Sequence, residues 1–173
     1  MQRHIYLMGY MGCGKSTIGR ALAAALEIPF LDLDEQIKNH EKCSVSELFQ
    51  KKGELYFRKT EYGHLQKLLN SSDPKVVALG GGTPCYFDSI QRIKESQVVS
   101  IYLKGSVPFL AQRLFVEREH RPMISHIATV EGLQEFIGKH LFERHPFYQQ
   151  AQHTITIDGK TVVALVEEIV SLT

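Results

Sequence analysis

The sequence has 173 residues, of which 43% are hydrophobic and 23% are charged. These values suit one globular domain with a full hydrophobic core, and they exclude a disordered or fibrous protein. The 20 Lys and Arg residues nearly balance the 19 Asp and Glu residues. The net charge of +1 therefore provides no general attraction to nucleic acid or to a membrane, and an anionic ligand must be bound by local clusters.

The cysteines and the apolar runs bear on the cellular location of the protein. Cys13, Cys43 and Cys85 are too few and too widely spaced for a disulfide framework or a metal site, so we expect reduced thiols in a cytoplasmic protein. No run reaches the ~20 apolar residues of a membrane span. The apolar start is short and leads into a glycine–lysine motif, which argues against a signal peptide. We also expect a monomer, because no separate assembly element is visible.

Short apolar runs alternate with helical patterns along the chain. Five runs predict buried strands over residues 4–8, 30–32, 76–79, 98–103 and 154–157. Helical patterns begin at Lys15 and Ser44 and cover residues 54–69, 107–118, 130–145 and 162–172. This alternation predicts a single α/β domain over residues 1–173, with a parallel sheet of five strands between helices on both faces.

Two helices are predicted on either side of Gly53. Ser44 and Glu47 have the spacing of a capping box, which begins the first helix, and Gly53 is expected to end it. Residues 54–69 then form an amphipathic helix, whose predicted apolar face consists of Leu55, Phe57, Leu65, Leu68 and Leu69.

The segment Gly9–Ser16 fits the phosphate-loop pattern G-x-x-x-x-G-K-[ST] without exception. It follows a predicted strand and opens a helix, so backbone N–H groups and the helix N-terminus would face a polyphosphate. Lys15 would reach the β- and γ-phosphates, and the Ser16 hydroxyl would bind Mg²⁺. The residues expected to bind ATP here are Gly12, Cys13, Gly14, Lys15, Ser16 and Thr17.

The loop alone does not name a reaction, because kinases, GTPases and motors share it. The chain lacks the N-K-x-D motif that reads guanine, and it is short for a motor or a transport ATPase. A kinase is therefore favoured.

Asp32 and Asp34 follow the second predicted strand, where the carboxyl ends of parallel strands form a ligand crevice. One carboxylate would serve a metal ion through water, and the other would meet an acceptor hydroxyl. Asp34 also fits the N-cap of the next helix.

Arg58 and Glu61 are three residues apart and share a helix face. An arginine oriented by a glutamate is a stiff fork for a carboxylate. The same spacing also fits a surface ion pair of little consequence. The run Gly80-Gly81-Gly82 follows a buried strand and suits either a close approach of ligand to backbone or a flexible turn.

Basic residues near the C-terminal half are candidates for a closing segment, namely Arg113, Arg118, His120 and Arg121. Phosphoryl transfer needs positive charge at the moving group, often from a lid. A solvated polar loop is the alternative. Arg144, at the end of a long helix, is a further arginine that by itself fits a surface position.

In this order and spacing, the motifs resemble the shikimate kinase family over nearly the whole chain. The matching points are Gly9 to Ser16, Asp32-x-Asp34, Phe57-Arg58-x-x-Glu61, Gly80 to Gly82, Arg121-Pro122-Met123-Ile124 and Arg144-x-Pro-x-Tyr148. The resemblance implies a P-loop fold of the nucleoside monophosphate kinase type. It also implies transfer of the ATP γ-phosphoryl group to the 3-hydroxyl of shikimate, in aromatic amino acid biosynthesis.

The resemblance also implies roles for single residues. Asp34 would bind the shikimate hydroxyls and orient or deprotonate the attacking one, in a substrate-binding segment near residues 33–62. Arg58 and Arg144 would hold the carboxylate beside the backbone of Gly80, Gly81 and Gly82. Lys15 and Arg121, the latter on a lid near residues 115–126, would stabilise the transferring phosphoryl group. Ser16 and Asp32 would hold Mg²⁺, and Arg118 is the candidate for contact with the adenine.

The chain departs from the family pattern at two places. The lid has Met123 and Ile124 where the family usually has two leucines, and these swaps keep the apolar volume. Cys13 stands where a small Ala or Ser is usual, and we interpret it as an inert thiol rather than a reactive one.

Two other functions remain open from the sequence. Another small P-loop kinase would share the phosphate loop; gluconate offers the same carboxylate and hydroxyls as shikimate, and a nucleoside monophosphate is a further acceptor. A regulatory module that binds ATP without turnover would leave Asp34, the glycine run and the lid arginine without a use.

Overall fold

The computed structural model describes residues 4–173. Its centre is a five-stranded sheet in the order β2-β3-β1-β4-β5, and every neighbouring pair is parallel. The strands are β1 Ile5–Met8, β2 Phe30–Asp32, β3 Val76–Ala78, β4 Val99–Lys104 and β5 His153–Thr156. The predicted strands are confirmed, and no boundary moves by more than one residue. They were visible in the sequence because central strands are buried on both faces, as all of β1 is.

Seven α-helices surround the sheet in this part of the chain. They are α1 Lys15–Leu26, α2 Leu33–Glu41, α3 Val45–Leu69, α4 Ser89–Glu95, α5 Val107–Glu117, α6 Val130–Tyr148 and α7 Val162–Leu172. Helices α1 and α7 pack together, and α5 packs on α6. The predicted α/β/α arrangement is confirmed. The structure adds α2, α4 and the 3-10 turns Thr83–Cys85 and Arg118–His120, which are too short or too polar to show a clear apolar period.

The region around Gly53 confirms the predicted cap and break. The Ser44 hydroxyl accepts the N–H of Glu47, and the Glu47 carboxylate accepts the N–H of Ser44 at 2.8 Å. Helix α3 kinks at Gly53, which has φ 80° and ψ 166°. The prediction that Leu55 is buried was wrong, since Leu55 is 64% exposed. It lies two positions before buried Phe57 and therefore on the opposite side of the helix.

The strand register brings three loops to one edge of the sheet. Ala78 pairs with Leu7 on one side and with Asp32 on the other. The segments that leave β1, β2 and β3 therefore begin side by side, as expected for the carboxyl ends of parallel strands. Among residues 4–173, no helix is both long enough and apolar enough to cross a membrane.

Candidate active site

The loop after β1 has the backbone of a phosphate cradle. Gly12 and Gly14 have φ values of 76° and 90°, a region that side chains disfavour, and Gly14 is the N-cap of α1. The N-terminus of α1 therefore opens at the loop, where its N–H groups suit an anion. Cys13 is fully buried, with its Sγ 3.8 Å from Nζ of Lys15. A buried position agrees with the interpretation of Cys13 as a structural thiol.

Lys15 folds back over this loop. Its Nζ donates to the carbonyl oxygens of Gly9 at 2.8 Å and of Tyr10 at 3.1 Å. The ammonium group is therefore held above the cradle. Contact with phosphate oxygens would replace neutral carbonyl acceptors with negatively charged ones.

Ser16 and Asp32 form one unit at the carboxyl ends of β1 and β2. Oγ of Ser16 donates to Oδ2 of Asp32 at 2.5 Å, and Oδ1 of Asp32 accepts the N–H groups of Asp34 and Glu35. The N-cap role considered for Asp34 was wrong, because Asp32 caps α2. A hydroxyl and a carboxylate are a donor set that fits Mg²⁺, which commonly takes one or two protein oxygens beside phosphate and water. Within residues 4–173, no group of three or more His, Cys, Asp or Glu side chains is arranged to hold a metal.

Asp34 is a carboxylate held in an unfavourable environment for its charge. Its pKa is raised to about 6, mainly by burial and also by the nearby charges of Glu61 and Asp32, against the opposing effect of Lys15 and Arg58. Its side chain accepts no hydrogen bond from residues 4–173. A carboxyl group with this pKa and free oxygens is suited to accept a proton near neutral pH.

The three consecutive glycines face the polar candidates one by one. A Cβ atom on Gly80 would lie 2.8 Å from Oδ1 of Asp34. A Cβ on Gly81 would lie 3.3 Å from Nη1 of Arg144, and one on Gly82 would lie 2.6 Å from Nη1 of Arg58. The segment is not a flexible turn: the buried Tyr148 hydroxyl donates to the Gly81 carbonyl at 2.5 Å, and a 3-10 turn follows at once. It gathers one carboxylate and two guanidinium groups around bare backbone.

Arg58 is part of a buried ion pair. Its Nη1 donates to Oε2 of Glu61 at 2.9 Å, and the two residues are 8% and 2% exposed. Oγ1 of Thr83 donates to the other Glu61 oxygen at 2.6 Å. The alternative of a surface ion pair was therefore wrong. Burial of the pair holds the guanidinium in one orientation, which suits a bidentate contact with a carboxylate.

Arg144 reaches the glycine segment from α6. Its guanidinium carbon lies 5.7 Å from the centre of the Tyr10 ring, and the Tyr10 hydroxyl is 3.0 Å from Nδ1 of His140. In the part of the chain that the structure describes, Arg144 forms no ion pair. Its charge is therefore available to an anionic ligand.

The structure does not bring the two lid arginines to this cluster. Nη2 of Arg121 donates to Oε2 of Glu117 at 2.7 Å, and Nη1 of Arg118 donates to the Phe115 carbonyl at 2.7 Å. Their roles would require the lid to move toward the phosphate loop.

Arg113 is the arginine that α5 already places near the loop. A Cβ on Gly14 would lie 3.8 Å from Nη2 of Arg113. In the sequence, Arg113 stands out only as part of a basic stretch. Helical spacing was the missed signal: Arg113 follows the buried Leu110 by three positions, and Leu114 packs against Gly12.

Comparison with known proteins indicates the family of this chain. The shikimate kinase family model matches residues 11–173. A curated shikimate kinase from Flavobacterium johnsoniae is 43% identical over 168 residues, which cover 97% of each chain. A solved shikimate kinase from Bacteroides thetaiotaomicron superposes with a TM-score of 0.89 at 32% identity, over 98% of this chain and 97% of that one.

A second similar solved structure is that of a complex with a ligand. It is a shikimate kinase from Acinetobacter baumannii in complex with shikimate, with a TM-score of 0.85 and 30% identity, covering 99% of this chain and 93% of that one. A gluconokinase from Sinorhizobium meliloti, at 21% identity and a TM-score of 0.55 over 98% of this chain and 90% of that one, shares the fold alone. The chain belongs to the shikimate kinase family.

Proposed function

We propose that this chain transfers the γ-phosphoryl group of ATP to the 3-hydroxyl of shikimate, which gives shikimate 3-phosphate. The observation that carries the proposal is the convergence of Asp34, Arg58 and Arg144 on Gly80 to Gly82, at the edge of the sheet that holds the phosphate loop. Shikimate has one carboxylate and adjacent hydroxyls, which are the groups that two arginines and an aspartate bind. The family and the shikimate complex of the Acinetobacter protein support the same acceptor.

The acceptor residues divide the binding and the chemistry. Arg58 and Arg144 bind the carboxylate from two sides of the glycine segment, whose backbone groups complete the pocket. Asp34 accepts a hydrogen bond from the attacking hydroxyl and orients it, and its pKa of about 6 leaves it ionised at neutral pH, ready to take the proton. Holding the alcohol in line with the phosphorus converts a bimolecular encounter into a positioned reaction.

The nucleotide residues bind and neutralise the phosphates. Backbone N–H groups from Gly12 to Thr17 cradle them, and Lys15 leaves its carbonyl partners to contact the transferring group. Ser16 and Asp32 would hold Mg²⁺, which when bound neutralises phosphate charge. Closure of the lid over residues 115–126 would deliver Arg121 and exclude water. The adenine contact of Arg118, the monomeric state and the cytoplasmic location stay predictions of the sequence.

The test is release of ADP from Mg-ATP by the purified protein, with shikimate, gluconate and nucleoside monophosphates in parallel. Strict dependence on shikimate is expected. Turnover with gluconate but not with shikimate would agree with a P-loop kinase and contradict the proposed acceptor. ATP binding without acceptor-dependent turnover would instead support a regulatory module.

A further inference from the structure

The guanidinium group of Arg58 lies between two carboxylates, and each is held by a hydroxyl from the same segment. Nη1 of Arg58 donates to Glu61 at 2.9 Å, and Nε donates to Oε1 of Glu54 at 3.4 Å. Thr83 donates to Glu61 at 2.6 Å, and the Tyr86 hydroxyl donates to the same Oε1 of Glu54 at 2.8 Å. The segment that follows Gly82 therefore holds, through Thr83 and Tyr86, both carboxylates that contact Arg58.

Tyr86 also covers one face of the guanidinium. The carbon Cζ of Arg58 lies 4.1 Å from the centre of the Tyr86 ring, within the range of a cation–π contact. Tyr86 ends the 3-10 turn Thr83–Cys85, whose N–H groups bond back to the carbonyls of Gly80 and Gly82. The ring is thus fixed relative to the glycine backbone against which Arg58 lies.

The two carboxylates differ in how much they need this support. The Glu61 side chain is 3% exposed and is held by its surroundings, whereas the Glu54 side chain is 52% exposed. An exposed glutamate has many rotamers, and the Tyr86 hydroxyl selects the one that meets Nε of Arg58. The bond also lowers the pKa of Glu54, so the carboxylate keeps its charge to lower pH.

We propose that Tyr86 is a positioning residue for Arg58 and thereby sets the affinity for the acceptor carboxylate. Together the ring and Glu54 fix the orientation of the guanidinium plane, and the N–H groups of Nη1 and Nη2 that Glu61 and Glu54 do not occupy are left to the substrate. A bidentate contact requires that plane, because a guanidinium is a planar fork. This inference rests on the proposed function, in which Arg58 binds the carboxylate of shikimate.

The test compares Tyr86→Phe, which removes the hydroxyl and keeps the ring, with Tyr62→Phe as the matched control. Tyr62 makes the same kind of bond, to Oδ1 of Asp88 at 2.6 Å, on the exposed side of α3. For Tyr86→Phe we expect KM for shikimate to rise about three- to tenfold, as for one lost hydrogen bond, while kcat and KM for ATP stay within about twofold. Tyr62→Phe should leave all three unchanged.

A second background separates positioning from general loosening. In Arg58→Lys the ammonium group has no plane to orient, so adding Tyr86→Phe should raise KM by less than about twofold more. Three outcomes would overturn this inference and leave the proposed function in place. They are equal effects of Tyr86→Phe and Tyr62→Phe, a fall in kcat without a change in KM for shikimate, and full additivity of Tyr86→Phe with Arg58→Lys. A wild-type protein that does not use shikimate would overturn the proposed function and this inference with it.

Discussion

The guanidinium group of Arg58 occupies the space that a side chain at Gly82 would need. A Cβ on Gly82 would lie 2.6 Å from Nη1 of Arg58 and 2.7 Å from Nη2. The guanidinium cannot retreat freely, because Nη1 also bonds to Glu61 at 2.9 Å within a buried ion pair. The absence of a side chain at this position therefore leaves the space that the guanidinium group occupies.

Gly82→Ala tests this contact directly. The added methyl group must displace the guanidinium, so we expect KM for shikimate to rise by about tenfold or more while KM for ATP changes little. Steady-state kinetics with each substrate varied will measure the split. Gly63→Ala is the control, since a Cβ there meets nothing within 4 Å inside α3. A Gly82→Ala enzyme with normal shikimate affinity would contradict the assignment of Arg58.

The raised pKa of Asp34 predicts an acidic limb in the pH–rate profile. Asp34 must be ionised to accept a proton, and its pKa is about 6 in the folded protein. We therefore expect kcat/KM for shikimate to fall about tenfold per pH unit well below pH 6. Asp34→Asn should lower kcat by about 10²-fold or more and remove this limb. An unchanged limb in the variant would assign the titration to another group.

The same carboxylate should cost stability. Its pKa is raised in the folded state above the ordinary value of 3.8, so the folded protein binds more protons than the unfolded chain between these values. The free energy of unfolding therefore falls as pH rises from about 4 to about 6. At pH 7, Asp34→Asn should be more stable than wild type by up to about 3 kcal/mol, and near pH 4 the difference should vanish. Thermal unfolding without ligand, with exposed Asp73→Asn as control, will show whether it does.

The two arginines of the acceptor site should differ in their effect on folding. Arg58→Ala leaves Glu61 buried without its cation, which costs about 3 kcal/mol or more. Arg144 has no ion-pair partner among residues 4–173, so Arg144→Ala should cost about 1 kcal/mol or less. Both variants should raise KM for shikimate. If urea unfolding shows equal losses of stability for the two variants, only one of which breaks a buried ion pair, the structural role of the pair between Arg58 and Glu61 is contradicted.

The sequence predicts most of the frame because the frame follows local patterns. Apolar runs predicted five strands, and the spacing of Ser44 and Glu47 predicted the cap of α3. Helix α2 was missed because only Leu33 and Ile37 of its nine residues are buried. Such a short amphipathic pattern does not stand out from a polar loop.

The sequence supplied the candidate site residues, but it did not predict most of the contacts between them. Spacing pairs Arg58 with Glu61 but does not reveal that both are buried, because the cover comes from the distant Gly82 and Tyr86. Glu54 lies four residues before Arg58, so helical spacing allows their pair, but the Tyr86 hydroxyl that orients Glu54 lies in another segment and was not predicted. Contacts between segments depend on the packed sheet, and one sequence read along its length does not supply them.

The ion pair between Arg121 and Glu117 allows a test of the role proposed for Arg121 in the lid. Both side chains are at least 36% exposed, so the pair is weak and Arg121 can leave it for a phosphate at small cost. Arg121→Ala should lower kcat by about 10²-fold or more through a lost contact with the transferring group. Glu117→Gln weakens the pair and keeps the arginine, so kcat should stay within about fivefold of wild type.

Rapid-quench measurement of the phosphoryl-transfer step will separate chemistry from product release. If Glu117→Gln slows that step as much as Arg121→Ala does, the ion pair itself is needed for catalysis and Arg121 is not the residue that meets the phosphoryl group.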